Sequence, residues 1–550
     1  MPLIGAEAAA ASLAAFLSSA ILCAYLTDRI GIAIAPFAIL AVAAAIAAAI
    51  WLWLRSHAAS DPPAFAGFAL IAAGTFGWLM FRARPDFLPT GTGSDLAHHL
   101  ALLGYIEQHW RLVHDAAMGA YLGEMIDYTP GAHLLTAMAG AWLRRDALHV
   151  VHAVVSLTVA LKCGLVFLIA RRLMPDGVPR VPFAAVAVLL LWLPYVFFAG
   201  SFMEQSFLSQ VVSELFAVAM WWALVVWDET PSAELLALFG LFGVAAFLTW
   251  PLWIGPLVLT LAAIVLLHRE RSWKQRLQDL TIAVGPIALV AAAYALQRKV
   301  YGFDMVHAVG FAVWPTPRTL TWPFIFLSVP AFVWSLRRAR TRIAAVLFLA
   351  VLLQAAALIV TGLNSGATTP YLTLKMAYLA IYPLAVSGAV LMAMAWGEVM
   401  RSPADTPRWV WLTVIASTLG VLVQALHTVA YPPAHKPVVT QPVFLAGDWA
   451  RTHVPPACVD YLVADGYTGY WLHLAVLGNP RAAGRALEND TFEPSKAIVR
   501  WILPAGLPYA IAGDFDALPR DIRTSVDVLA RFGPAAVVQR RGSATCADQK

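Results

Sequence analysis

Charge is scarce in this sequence. Only 13% of its 550 residues are Asp, Glu, Lys or Arg, while 60% are hydrophobic and the mean hydropathy is +0.72. Soluble domains carry about a quarter of their residues as charges, so this balance excludes an ordinary soluble chain and points to a polytopic membrane protein. Cysteine is rarer still, four in all, too few for a disulfide-stapled scaffold. No internal repeat stands out, and the segment after residue 430 shows no glycine loop that would cradle phosphate, no Cys and His spacing of a zinc site and no nucleophile elbow. The formal charge of +5 comes from basic residues gathered in loops, where they set membrane orientation, and it carries no nucleic-acid reading.

Long apolar runs are abundant. A span takes about 20 residues, and such runs cover 8–27, 32–54, 64–82, 146–170, 181–200, 208–227, 234–249, 251–267, 280–297, 321–336, 343–362, 373–396 and 409–428, thirteen in all. The seventh and eighth meet at Thr249, Trp250 and Pro251, where the proline either ends one helix or kinks a longer one. No A-x-A-like cleavage site follows the first run, which is therefore read as a retained span. Arg171, Arg172 and Arg180, then Arg269, Arg271, Lys274 and Arg276, then Arg337, Arg338, Arg340 and Arg342, then Arg401 and Arg408, all fall on one side of the thirteen-span layout. That side is cytoplasmic by the positive-inside rule. The N-terminus is then inside, and 83–145, the loops near 201–207, 298–320 and 363–372, and everything after about 430 are outside. Arg144 and Arg145 run against this layout.

One stretch breaks the apolar pattern. Between Gly91 and His133 the chain carries Asp95, His98, His99, Glu107, His109, His114, Asp115, Glu124, Asp127 and His133, and ionisable groups beside a bilayer are functional candidates by default. Thr92 or Ser94 is placed to cap a helix beginning at Asp95. Leu96, Leu100, Leu103 and Trp110 share one face of it, with Asp95 and His99 one turn apart on the next, which suits a helix lying on the membrane surface. Glu107 falls on the apolar face and needs a partner there, unless the helix has already ended. The segment 131–143 is too short to span and is read as a second interfacial or re-entrant helix.

After the last run, Tyr431, Pro432, Pro433 and Pro437 make a stiff linker and the composition changes. Helical patterns over 445–453, 469–477 and 521–532 alternate with strand patterns over 458–463, 509–513 and 535–539, which predicts a small α/β domain of about 110 residues. Cys458 and Cys546 flank most of it and are disulfide candidates in an oxidising compartment. The expected fold class is a polytopic α-helical membrane domain of about thirteen transmembrane helices over 1–430, with its polar outer loop at 83–145, followed by a C-terminal extracytoplasmic α/β domain over 431–550.

The residues Ser94-Asp95-Leu96-Ala97-His98-His99 and Tyr128-Thr129-Pro130-Gly131-Ala132-His133 sit in a polar first large outer loop of a many-span protein with an outer C-terminal domain. In this the chain resembles the GT-C superfamily of membrane glycosyltransferases. Phe247-Leu248-Thr249-Trp250-Pro251 looks like a helix break of that superfamily, and Tyr371-Leu372-Thr373-Leu374-Lys375 like an aromatic-plus-lysine signature of some members, arabinosyltransferase-like ones included. The resemblance implies an enzyme that takes a sugar from a polyprenyl-phosphate carrier and attaches it to an acceptor on the outer face. It gives Asp95 the role of the family's loop carboxylate, base or metal ligand. Leu96 follows Asp95 where an acidic metal pair would need a second acid.

Inverting transfer needs a carboxylate to take the proton of the attacking hydroxyl, and Asp95 is that candidate; its other reading is an acid that complements the helix dipole. His98 and His99 are candidates for substrate contact, and Asp95 with His99 for a divalent cation, Mg or Mn, since carboxylate and imidazole are both ligands. Lys375 is the candidate cation for the leaving phosphate, with snorkelling to the interface as its plain alternative. Arg298, Lys299 and Arg318 offer the same charge, and Tyr128, His133, Glu204, Gln205, His307 and Tyr371 are further candidates to line the site. Glu214, inside a span, needs a partner. The expected partners are a polyprenyl-phosphate sugar, an envelope glycan or lipid acceptor, and the bilayer of a bacterial inner membrane. The competing readings are a lipid-linked saccharide transporter or flippase, and an oligosaccharide polymerase or ligase.

Overall fold

The computed structural model describes the chain apart from residue 1 and residues 91–93, 299–309, 311, 365, 367–369, 402–406, 431–436, 464, 480–497, 500, 503–506 and 543–550. Of Ser94 and Asp95 it describes the backbone only. The first part runs α1 (Gly5–Arg29), α2 (Pro36–Ser56), α3 (Pro62–Arg82), α4 (Ser94–His109), α5 (Gly119–Leu122), α6 (Gly131–Leu143) and α7 (Ala147–Leu173). It continues with α8 (Arg180–Leu191), α9 (Gly200–Met203), α10 (Leu208–Glu229), α11 (Ala233–Thr249), α12 (Ile254–Leu267) and α13 (Trp273–Arg298). Then follow α14 (Pro317–Leu320), α15 (Trp322–Ser335), α16 (Arg342–Asn364), α17 (Tyr371–Arg401) and α18 (Arg408–Ala430).

All thirteen apolar runs contain helices. Among the described residues eight of these are long and apolar enough to cross a membrane, and five more are shorter apolar helices, Ala233–Thr249 and Pro251–Leu267 among them. α10 is buried along its whole length from Leu208 to Trp227, so it forms the centre of the bundle, against α7, α11 and α12. α1 packs by its alanines, with Ala8, Ala11, Ala14, Ala15, Ala20 and Ala24 wholly buried. α3 and α7 approach closely through two small residues. A Cβ on Gly67 would stand 2.7 Å from the Phe167 ring, and one on Gly164 closer still to the Phe68 ring.

Charges gather at one end of the bundle. Arg172, 1% exposed, binds both carboxylate oxygens of Glu7, donates to Glu229 Oε2 at 2.6 Å, and reaches the Pro2 carbonyl at 3.2 Å. Beside it Arg171 pairs with Asp61, which also caps α3 by accepting from the Ala64 amide at 3.0 Å. At the opposite end Asp28, closing α1, accepts from the Leu112 amide at 2.9 Å and from His114 Nε2 at 3.0 Å, tying the polar loop to the bundle.

The C-terminal part holds α19 (Gln441–His453), strand β3 (Val459–Leu462), α20 (Gly466–Trp471) running into a π-helical turn at Leu472–Val476, β4 (Tyr509–Ala512), α21 (Arg520–Thr524), β5 (Val526–Phe532) and β6 (Ala535–Arg540). Strands β1 (Leu3–Ile4) and β2 (Ala58–Ala59) form a separate two-residue parallel pair in the bundle. The larger sheet has the order β3-β4-β6-β5, parallel between β3 and β4 and antiparallel elsewhere. Period-two alternation splits its faces: Ile511 and Val537 join the main core, whereas Ala510, Ala512, Ala536 and Val538 form a small core with Trp501 and Ile522. The helix expected over 521–532 is corrected here. Only Arg520–Thr524 is helical, and Val526–Phe532 is an edge strand. Gly533 at φ +59° and Pro534 form the two-residue loop that folds β5 onto β6, and the strand-pairing hydrogen bonds outweigh a helix-like spacing of Ile522, Val526 and Leu529.

Two stability outcomes follow from these charges. Arg172→Met leaves Glu7 buried without its cation and is expected to cost about 3–5 kcal/mol, read as a lower thermal midpoint of the purified protein. Adding Glu7→Gln to Arg172→Met should recover most of that loss. Glu107 accepts from the Ala147 amide at 3.2 Å at the start of α7, and burial, with Asp146 nearby, pushes its carboxyl up to about 7. The folded state then holds a proton that the unfolded state has lost between about pH 4.5 and 7, so stability falls as pH rises through that window. Glu107→Gln is expected to remove that slope and to raise the thermal midpoint above pH 7, as measured by unfolding from pH 4.5 to 8.5.

Candidate active site

α4 is held between two bodies rather than lying open on a surface. Leu96, Leu100, Leu103 and Ile106 are buried, and the helix packs on α6 and α7 on one side and on α20 and the π-helical turn on the other. Trp110 lies beyond the helix end, at φ +49°. The C-terminal part is stitched to this loop. Thr90 bridges to Pro437, the Gln441 amide donates to Asp86 Oδ2 at 3.3 Å, and Tyr121 donates to the Leu474 carbonyl at 3.3 Å. His98 is part of that seam. Its Nδ1 lies 2.8 Å from Glu124 Oε1 and its Nε2 2.7 Å from the Tyr470 hydroxyl, so both ring nitrogens are engaged.

His99, one residue on, faces elsewhere. Its Nδ1 is 3.0 Å from His133 Nε2 with the two rings stacked at 5.2 Å, and the edge of Tyr128 closes on both. Burial and the neighbouring His99 hold the His133 imidazole well below the usual histidine range. His99 and His133 line a small cleft with Leu100, Leu103, Thr136 and Leu208. Three residues expected in one pocket from distant points of the loop, His99, Tyr128 and His133, therefore stand in contact.

The turn that carries Tyr128 docks on the helix break. α11 ends at Thr249, Trp250 is extended, and α12 starts at Ile254 against α16. Thr129 Oγ1 donates to the freed Thr249 carbonyl at 2.9 Å, Ser213 Oγ to that of Trp250 at 3.0 Å, and Gln354 Nε2 to that of Leu252 at 2.8 Å. Gly131 sits so close that a Cβ there would stand 2.9 Å from the Leu248 carbonyl oxygen and nearer still to Thr249 Oγ1. The two short motifs, Tyr128-Thr129-Pro130-Gly131 and Leu248-Thr249-Trp250-Pro251, thus form one joint.

Lys375 is buried to 1% exposure near the start of α17, with its ammonium over the Phe207 ring and within 5.1 and 5.4 Å of the Tyr371 and Tyr378 ring centres. This aromatic seat is electrostatically favourable for a cation. Phe207 precedes Leu208 of the cleft, and Ser206 Oγ donates to the Thr90 carbonyl at 3.1 Å, four residues before the start of α4. Glu204 is half-buried beside Gln205, which accepts from Tyr378, and burial pushes its carboxyl up. Gly310 lies against the Tyr371 ring. His307 and Lys299 are outside the described residues, as are the side chains of Asp95 and Arg298, and Arg318 is exposed. Cys458 is disulfide-bonded, while its candidate partner Cys546 is outside the described residues; Cys23 and Cys163 are free.

Several neighbours were not anticipated. Phe207 and Tyr378 complete the lysine seat, and the spacing of Tyr371, Lys375 and Tyr378 on one helical face was the available signal. Tyr470 meets His98 across most of the chain, which no local pattern announces. Glu214 finds its partner in Lys162. For a metal, the described residues fit poorly. Among them no group of three or more His, Cys, Asp or Glu converges, and His99 turns one nitrogen to His133.

No protein-family model matches the chain, and no curated protein matches it in sequence. Solved structures do. The archaeal oligosaccharyltransferase AglB from Archaeoglobus fulgidus, in complex with an inhibitory peptide and a dolichol-phosphate, is similar at a TM-score of 0.51 and 12% identity, over 84% of this chain and 70% of that one. The Archaeoglobus fulgidus oligosaccharyltransferase tethered with an acceptor peptide containing the NVT sequon gives 0.50 and 13%, over 82% and 69%. ArnT from Cupriavidus metallidurans in the apo state gives 0.48 and 13%, over 86% and 98%. At such identities the likeness is one of fold alone: this multi-pass membrane chain shares the architecture of the Archaeoglobus fulgidus oligosaccharyltransferase structures.

Proposed function

We propose that the protein is a membrane glycosyltransferase that moves a sugar from a polyprenyl-phosphate donor to an envelope glycan or lipid acceptor on the outer face of a bacterial inner membrane, with the N-terminus cytoplasmic and the C-terminal domain periplasmic. The observation that carries this reading is the joint between the Tyr128 turn and the Thr249 break, which brings the His99, Tyr128 and His133 cluster beside the segment that seats Lys375. The architecture shared with the oligosaccharyltransferase structures supports it.

In this reading Asp95 takes the proton of the acceptor hydroxyl as its oxygen bonds to the anomeric carbon and the bond from that carbon to the donor phosphate breaks, inverting the centre. Lys375 offsets the charge gathering on the departing phosphate, which is worth most where water is excluded. His99, paired with His133, and Tyr128 contact sugar or acceptor hydroxyls, with Glu204, His307 and Tyr371 at the margin. His98, engaged on both nitrogens, holds the loop under the C-terminal domain and acts on the substrate through that placement. A divalent cation would have Asp95 and His99 as its ligands, and no step is assigned to it.

Transfer of radiolabelled sugar from polyprenyl-phosphate donors to membrane acceptors tests this. Asp95→Asn at matched expression is expected to lower transfer by about a hundredfold or more; transfer equal to wild type would remove Asp95 from the mechanism. Movement of intact labelled lipid across the membrane with no transfer, in wild type, would favour the flippase reading, for which the broken helix would also serve. Gly131→Ala forces the turn off the break and is expected to abolish most transfer and to lower the thermal midpoint by several degrees, since the obstacle includes a backbone carbonyl.

A further inference from the structure

Lys162 of α7 and Glu214 of α10 are fully buried against one another, and neither belongs to the site described above. A buried ion pair is often no more stabilising than the apolar pair that would replace it, and ionisable residues inside membrane helices are functional candidates by default. Their surroundings give this pair a task. Tyr382 of α17 donates to Glu214 Oε2 at 2.6 Å, Gln210 Nε2 donates to Oε1 at 3.4 Å, and the Lys162 ammonium lies 5.2 Å from the Tyr382 ring centre.

Tyr382 shares one face of α17 with Tyr378 and Lys375, four and seven residues earlier in the chain. Along that face α17 grips a short piece of chain at three points. Lys375 covers Phe207, the Tyr378 hydroxyl meets the Gln205 side chain, and the Tyr382 hydroxyl meets Glu214. The first two contacts build the lysine seat. The third, Tyr382 on Glu214, is backed by Lys162 of α7, and all three side chains are wholly buried.

We propose that Glu214 is a positioning residue: clamped between Lys162 and Tyr382, it sets the register of α10 against α17 and thereby holds Gln205 and Phe207 where Lys375 meets the phosphate of a polyprenyl-phosphate lipid. This rests on the assignment of Lys375 to that phosphate. A displaced Glu214 would let the Phe207 ring move under the ammonium and would misplace the charge without removing it.

The test is equilibrium binding of tritiated undecaprenyl phosphate to the full-length protein in nanodiscs, with a thermal midpoint taken on each sample. Lys375→Met, Tyr382→Phe, and the double variant Lys162→Met with Glu214→Leu are compared with wild type. Each is expected to bind about tenfold more weakly, the scale of one lost hydrogen bond to a charged group. The double variant should keep a thermal midpoint near wild type, because both charges leave together. Tyr382→Phe keeps the ion pair and the shape, and serves where the double variant does not fold. Weak binding by Lys375→Met with wild-type binding by the other two would overturn the positioning role alone. Undiminished binding by Lys375→Met, or no binding by wild type, would overturn the phosphate assignment and the inference with it.

Discussion

Where α11 stops at Thr249 inside an apolar bundle, its last carbonyl oxygens have no water to turn to, and each left unsatisfied would cost several kcal/mol. Along the break the carbonyls of Thr249, Trp250 and Leu252 find donors on three separate pieces of chain: Thr129 from the polar loop, Ser213 from the central helix, and Gln354 from α16. The need to satisfy the break therefore gathers the candidate site. It draws the Tyr128 turn onto the bundle, places His99 and His133 above α10, and sets the first turns of α10 beside Lys375. The polar loop owes its position to the backbone of another helix as much as to its own sequence.

The covering of α4 follows from the same economy of polar groups. A helix carrying two adjacent histidines, buried at 5% and 3% exposure, has to satisfy both rings. His99 turns inward to His133, and His98 turns outward to Glu124 and Tyr470. Adjacent residues on a helix point about 100° apart, so the pair divides its work between the cleft and the C-terminal domain. The π-helical turn at Leu472–Val476 lies against α4 on that outer side, so the C-terminal part of the chain covers the loop.

Much of this architecture was legible. Each apolar run contains a helix, eight of them among the described residues long and apolar enough to cross a membrane, although the run 181–200 leaves its helix at Leu191; the short segment 131–143 is a helix of thirteen residues, mostly buried. Contacts within the loop were legible too, since Tyr128 and His133 lie close in sequence. What was not legible is long-range pairing. Lys162 stands in the apolar middle of α7, and no local pattern indicates that Glu214 is its counterion. β5 was misread because the spacing of Ile522, Val526 and Leu529 satisfies a helix as well as a strand, and the deciding bonds come from β6 beyond Gly533. Glu107 found its partner at the start of the next long helix.

The reciprocal packing of Gly67 on Phe167 and Gly164 on Phe68 has a mechanical meaning. Two rings facing in opposite directions, each seated where the other helix lacks a side chain, act as a double detent: a slide of α3 along α7 in either direction drives one ring into a backbone. α3 leads into the polar loop and α7 leads out of it, so both posts of the loop stand at a fixed height. Any opening of the cleft lined by His99 and His133 then falls to the segments between these posts, since a piston stroke of the helices is blocked.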